Sequence, residues 1–199
     1  MTAQDSRAKS DLRGDLQMGR DAMLWKLEGL SEYDMRRPMT PTGTNLLGLV
    51  KHLAYVELGY FGQTFGRPAA DARVWVEDLD DTPNWDMWAT AEESREEVVA
   101  FYRGAWEHAD ATIAELALNA PGEVPWWRPE TRRVTLHRVL VHVLAETHRH
   151  VGHADIVREL VDGVAGLRRP GDNLPEADPD WWTGYRAELE RVAAEAGGR

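Results

Sequence analysis

The sequence predicts an all-α fold, a four-helix bundle with a short extra helix at its C-terminal end. Four long segments carry apolar residues at three- and four-residue spacing, the period of one helix face. The stretches between them are punctuated by Pro and Gly, which end helices. A chain of 199 residues with 43% apolar content suits one domain large enough to bury a real core.

Residues 1–10 are polar and mixed in charge and are expected to be disordered. The first helix is expected from about Asp11 to Leu30, with Leu16, Met23, Leu27 and Leu30 near helical spacing. Pro38 and Pro41 then break the chain. A second helix starts near Thr44 or Asn45, either of which makes a good N-cap, and continues to about Phe65. Leu46, Leu49, Leu53, Val56 and Tyr60 give it a broad apolar face.

From Gly66 to Asn84 the chain reads as a loop, with Val74-Trp75-Val76 as a short extended piece and acids from Glu77 to Asp81. Thr90-Ala91-Glu92-Glu93 has the form of a capping box and opens the third helix. That helix passes through Val98, Tyr102, Trp106, Ala109, Ile113 and Leu116 and ends before Pro121. A loop rich in Pro and Trp follows, Pro125-Trp126-Trp127-Arg128-Pro129. Thr135 caps a fourth helix that runs to about Val161, before Gly163. Asp178-Pro179, a cap followed by Pro at the first helical position, opens a short last helix to about Ala194. The expected organisation is a bundle over residues 11–165, with residues 166–199 a linker and helix packed on the same domain.

Net charge is −11 and the acids are spread along the chain. No basic stripe of the kind a duplex-binding surface needs is present, which argues against a nucleic-acid partner. No apolar run approaches the roughly 20 residues that cross a bilayer. The start has no apolar h-region, so a cytoplasmic protein is expected. Cysteine is absent. Disulfides, thiolate ligands and a cysteine nucleophile are thereby excluded, and any metal site must be built from His, Asp and Glu.

Five of the seven histidines fall between His137 and His153. At about 100° per residue, a four-residue step leaves a side chain only about 40° round the helix. Glu146 and His150 therefore project side by side, as two ligands of one ion must. Such a pair is also common on solvated helix surfaces. The neighbouring apolar residues Leu136, Val139, Leu140, Val143 and Ile156 make this a core helix, with His142, Glu146, His150 and His153 as a polar seam beside the stripe. Buried ionisable groups are costly unless paired or bound to a cation. A divalent ion held by Glu146, His150 and a histidine from another helix would remove that cost, and His52, on the most apolar helix, is the candidate. His142 or His153 could instead replace a ligand or orient one from behind. His148 points away from His150, His108 reads as a boundary residue, and Asp155 and Glu57 read as surface charges.

Two blocks resemble the DinB/YfiT superfamily of metal-binding four-helix bundles, specifically its mycothiol-dependent, maleylpyruvate isomerase-like branch and that branch's uncharacterised relatives. One block is Gly43-Thr44-Asn45-Leu46-Leu47-Gly48-Leu49-Val50-Lys51-His52-Leu53-Ala54-Tyr55-Val56-Glu57. The other runs from His142 to Ile156. Many members carry His-x-x-x-His followed by Arg-Gly-Gln. Here those positions hold Glu146, His150 and Val151-Gly152-His153. The Glu matches the isomerase branch. The resemblance implies the ligand set His52, Glu146 and His150. It also implies a long crossover between the second and third helices, a homodimer, and mycothiol as co-substrate.

Two imidazoles and one carboxylate suit Zn²⁺, with Ni²⁺, Mn²⁺ or Fe²⁺ as other divalent ions such a set accepts. Three protein ligands leave a position open. A thiol arriving there would lose its proton to the metal. The leading expectation is a metal-dependent transferase or isomerase acting on a small thiol and an electrophile. His142 and His153 are the candidate catalytic groups, and Trp126, Trp127, Trp181 and Trp182 the candidate pocket wall. The alternatives are a non-catalytic metal-binding bundle for stress response or sensing, and a non-haem Fe(II) enzyme built on a facial triad.

Overall fold

A computed structural model describes residues 3–69 and 83–198. The expected extended piece at Val74–Val76 and the acidic run from Glu77 to Asp81 lie outside the described residues. The long elements are α1 (Ala3–Trp25), α3 (Leu46–Glu57), α4 (Arg95–Glu115) and α5 (Leu136–Asp162). Shorter ones are α2 (Glu32–Arg36) and the C-terminal α6 (Pro179–Gly197). Helix α1 packs on α5, α3 packs on α4, and α3 also meets α5. The expected all-α bundle is the observed one. The only sheet among the described residues is an antiparallel hairpin of β1 (Pro121–Glu123) and β2 (Arg133–Thr135), with Pro121 opposite Thr135.

Helix α1 begins at Ala3, so residues 3–10 are helical rather than disordered. Lys9 fixes this first part by donating from Nζ to the backbone oxygens of Ala114 (3.0 Å) and Leu116 (2.7 Å), at the end of α4. Those C-terminal carbonyls have no intrahelical partner, and a cation meets them favourably. The helix stops at Trp25, earlier than Leu30. Arg158 of α5 explains the stop, since its Nη1 donates to the carbonyls of Lys26 (2.9 Å) and Glu28 (2.8 Å).

Asn45, not Thr44, caps α3, its Oδ1 accepting from Gly48 N at 2.7 Å. Past Glu57 the helix widens into a π turn over Leu58–Gly62 and tightens to 3₁₀ over Gln63–Phe65. π turns recur where a helix must re-aim a side chain for function. The capping box at the start of α4 is Ser94 with Glu97, one turn later than expected. Thr90 and Glu93 form only a turn: Thr90 N donates to the Glu93 carboxylate at 2.7 Å, and that carboxylate also pairs with Lys51. Thr135 caps α5, and Gly163 ends it at φ 76°. Asp178 caps α6 as its Asp-Pro signature predicts.

Arg20 and Glu57 are both fully buried. Arg20 holds the Glu57 carboxylate with two parallel bonds, Nε–Oε1 at 2.9 Å and Nη2–Oε2 at 2.5 Å. Its Nη1 reaches Asp110 Oδ1 at 3.0 Å, so one guanidinium ties α1, α3 and α4 together. Burial pushes the Glu57 carboxyl above its ordinary range, against the guanidinium, which favours the charged form. Glu57 is thus a core residue, correcting its reading as a surface charge. Asp155 also has a structural partner, the buried Lys26, at 2.5 Å.

Helix α6 has no buried residue. Ile156 is 59% exposed rather than part of the core. The buried stripe of α5 continues through Val151, Ala154 and Val157 instead.

Candidate metal centre

Helices α3 and α5 meet where His52 faces Glu146 and His150. His52, Tyr55 and Val56 lie one turn apart on α3, and His142, Glu146 and His150 line up at four-residue steps on α5. One ligand atom from each of His52, Glu146 and His150 comes within 4.8 Å of the others. His150 Nε2 is 3.1 Å and His52 Nε2 4.0 Å from Glu146 Oε1. An ion about 2.1 Å from tetrahedral ligands needs them roughly 3.4 Å apart, so these two separations bracket the requirement. The two rings stand edge to face with centroids 4.8 Å apart. Two imidazoles converge on one carboxylate oxygen, and this donor set fits a divalent cation.

Each imidazole is oriented from behind. Asp86 Oδ2 lies 2.7 Å from His52 Nδ1. Burial works to raise the Asp86 carboxyl, but the hydrogen bond from His52 outweighs it and holds the group below the usual carboxylate range. The carboxylate has only acceptors to offer, so Nδ1–H donates to it and Nε2 is left with its lone pair toward Glu146. His153 Nδ1 stands 3.3 Å from His150 Nδ1, on the side of the ring away from Glu146. Burial, followed by the adjacent His52, holds His150 below the ordinary imidazole value against the pull of Glu146. The neutral form that metals require is the favoured one.

Asp86 was not among the residues expected at the site. It belongs to a 3₁₀ turn, Trp85–Met87, inside an otherwise irregular stretch. Asn45 Nδ2 donates to Met87 O at 3.1 Å and so fastens this turn to the start of α3. Gly48 makes the approach feasible, because a Cβ there would sit 1.8 Å from Met87 O. Gly48 is one turn before His52. The bare helix face therefore admits the backbone that carries Asp86 to the imidazole.

Beside the triad a pocket of about 520 Å³ is lined by Glu146, His142, Tyr60, Trp85 and Trp126 among others. That volume suits a small-molecule site. The Tyr60 hydroxyl, presented by the π turn, lies 2.9 Å from His142 Nε2 and accepts from Trp127 Nε1 at 3.0 Å. Trp126 Nε1 also donates to that oxygen, at 3.5 Å, so both its lone pairs are taken and the Tyr60 hydroxyl donates its hydrogen bond to His142 Nε2. Burial and the nearby Arg138 lower the His142 pKa, with Glu146 opposing, which keeps the ring a neutral acceptor.

The four tryptophans separate. Trp126 lines the pocket, whereas Trp127 stands behind Tyr60, and the β1–β2 hairpin carries both. Trp181 and Trp182 lie on α6, packed on each other and on Tyr185 (centroids of the two indoles 4.8 Å apart). Trp182 borders a different groove, beside Gly163 and Leu189, so the expected wall does not include α6. His148 Nε2 is bound to Asp15 O and His108 Nε2 to Arg67 O, both away from the triad.

No helix among the described residues is long and apolar enough to cross a membrane. No curated protein matches the chain. Residues 11–163 match the family model described as mycothiol S-transferase, spanning α3, α5 and the whole triad. The chain belongs to this DinB/YfiT-like mycothiol S-transferase family.

Proposed function

We propose that the protein is a metal-dependent transferase that joins a low-molecular-weight thiol, mycothiol, to an electrophile. The observation that carries this reading is the convergence of His52, Glu146 and His150 beside a pocket of about 520 Å³ whose wall includes His52 and Glu146. A divalent ion held by these three residues, Zn²⁺ above all, would favour the thiolate form of a thiol placed beside it. The chain has no cysteine, so the sulfur nucleophile has to come from the co-substrate.

The residues divide the remaining tasks. Asp86 fixes the tautomer of His52, and His153 plays the matching part behind His150. His153 is therefore a positioning residue, while His142 faces the pocket. His142, which lines the pocket beside Glu146, is the acceptor for the thiol proton, and the Tyr60 hydroxyl, 2.9 Å from its Nε2, fixes how the ring stands. Trp126 excludes water from one wall.

Incubating the metal-loaded protein with mycothiol and monochlorobimane tests the reading. Conjugation should depend on the metal and should fall about 100-fold in His142→Ala, the scale of a lost acid–base group. If no thiol gives metal-dependent conjugation, the chain is a metal-binding bundle without this chemistry.

A further inference from the structure

The pocket beside the triad is lined by aromatic rings and carboxylates. Four aromatic rings border it: Tyr55 and Trp85, edge to face at 4.5 Å, and Tyr60 and Trp126, edge to face at 5.2 Å. The charged groups on its wall are Asp86 and Glu146, and no Lys or Arg lines it among the described residues. Two cations close enough to act on its lining, Lys51 on Asp86 and Arg138 on His142, have other partners. Lys51 is held by Glu93 at 2.8 Å, and Arg138 lies over the Trp127 ring, outside the lining, at 5.6 Å.

From this wall we infer that the pocket selects a flat electrophile that is neutral or cationic and rejects anionic ones. The inference rests on the transferase reading and narrows its substrate class. Ring faces carry negative quadrupole density and attract cations and flat π systems. Two carboxylates would balance a divalent ion in the triad, and a thiolate would add a further negative charge. An electrophile bearing its own carboxylate then meets repulsion from Asp86 and Glu146, with no Lys or Arg among the described lining residues to receive it. Specificity arises here from the two carboxylates as much as from the rings.

A matched set of probes tests the selection: chlorodinitrobenzoate, its methyl ester, and its trimethylammonioethyl ester. In each, the thiolate sulfur forms a bond to the ring carbon, chloride leaves, and the thiol proton goes to solvent. Affinity is measured calorimetrically with the chlorine-free counterparts of all three on the full-length, metal-loaded protein. Turnover with mycothiol is followed separately. Both esters should bind at least about tenfold tighter than the carboxylate, the effect of one repulsive contact at intermediate dielectric. Val56→Lys, which places a cation on the α3 wall of the pocket, should close that gap while circular dichroism stays helical. Equal or tighter binding of the carboxylate overturns the selection, as does an unchanged gap in Val56→Lys or a failure of all three to bind. The ordered affinities without any turnover leave the selection standing and count against the transferase reading. Turnover with equal affinities does the reverse.

Discussion

Substituting Gly48 by Ala tests how the site is assembled, because it acts on His52 only through the backbone beside it. A Cβ at position 48 would lie 1.8 Å from Met87 O, 2.5 Å from Met87 C and 2.9 Å from Asn45 Oδ1. Carbon–oxygen contacts are comfortable at about 3.3 Å or more, so the Trp85–Met87 turn must withdraw by about 1.5 Å. Asp86 moves with it, and its 2.7 Å hydrogen bond to His52 Nδ1 opens beyond hydrogen-bonding range. Loss of such an outer partner weakens metal binding about 10- to 100-fold. The steric term destabilises the fold by about 1–3 kcal/mol, offset in part by the better helix propensity of Ala. Chelator competition gives the affinity and denaturant unfolding gives the stability. Asp86→Asn removes the same carboxylate without moving the backbone. The two variants should lose similar affinity, and the double variant should lose little more than either, the signature of one shared interaction. A Gly48→Ala protein that binds metal within twofold of the parent refutes the reasoning, as does a fully additive double variant.

Glu57→Gln leaves the fully buried Arg20 guanidinium without its bidentate partner, and should lower unfolding free energy by about 3 kcal/mol or more; a loss under about 1 kcal/mol in denaturant titration would show that Asp110 suffices. Metal should dissociate as pH falls below about 6, because protonation removes the imidazole lone pairs; full occupancy at pH 4 would exclude histidine ligands. The sign for the metal-free fold follows from His142 and His150, both held below the ordinary 6.5, so no stability penalty is present above that value and one develops as pH falls from it toward their folded values. Thermal midpoints that rise on acidification across that window would contradict it. Deleting residues 179–199 removes a helix with no buried residue, and should leave metal stoichiometry intact and change stability by under about 1 kcal/mol.

The helices were legible because their signals are local. Thr135, Gly163 and Asp178-Pro179 act within one turn of where they stand, and each marks the end it predicts. The start of α4 was displaced because Thr90/Glu93 and Ser94/Glu97 carry the same capping pattern four residues apart. The Glu93 carboxylate binds both Thr90 N and Lys51, more than forty residues upstream, in a turn that the helix does not continue, and Ser94 caps. Glu57 sits four residues after Leu53, on the core face, yet its charge argues for the surface until Arg20 supplies a partner 37 residues away. Ile156 failed for a related reason. Small changes of phase accumulate along a 27-residue helix, and Val157 takes the inward place.

At the site, the periodic part was readable and the irregular part was not. His52, Glu146 and His150 project from helix faces, and spacing predicts where such side chains point. Asp86 sits in a segment without periodicity, and its position depends on Asn45 and Gly48 acting together. Gly48 was nonetheless a usable signal, since Gly inside an apolar helix marks a close backbone approach. For the tryptophans, composition indicated aromatic walls but not which loop supplies them. The hairpin that carries Trp126 to the pocket depends on the pairing of Pro121 with Thr135.

The claim beneath all of this is that Glu146 joins His52 and His150 around one ion. It is tested most directly by elemental analysis of the full-length protein and its Glu146→Ala variant, purified in parallel without added metal, with His108→Ala and His148→Ala as controls. One divalent ion per chain in the parent and the controls, and almost none in Glu146→Ala, is the predicted result. Full stoichiometry retained in Glu146→Ala would contradict it and move the ligand to His142 or His153.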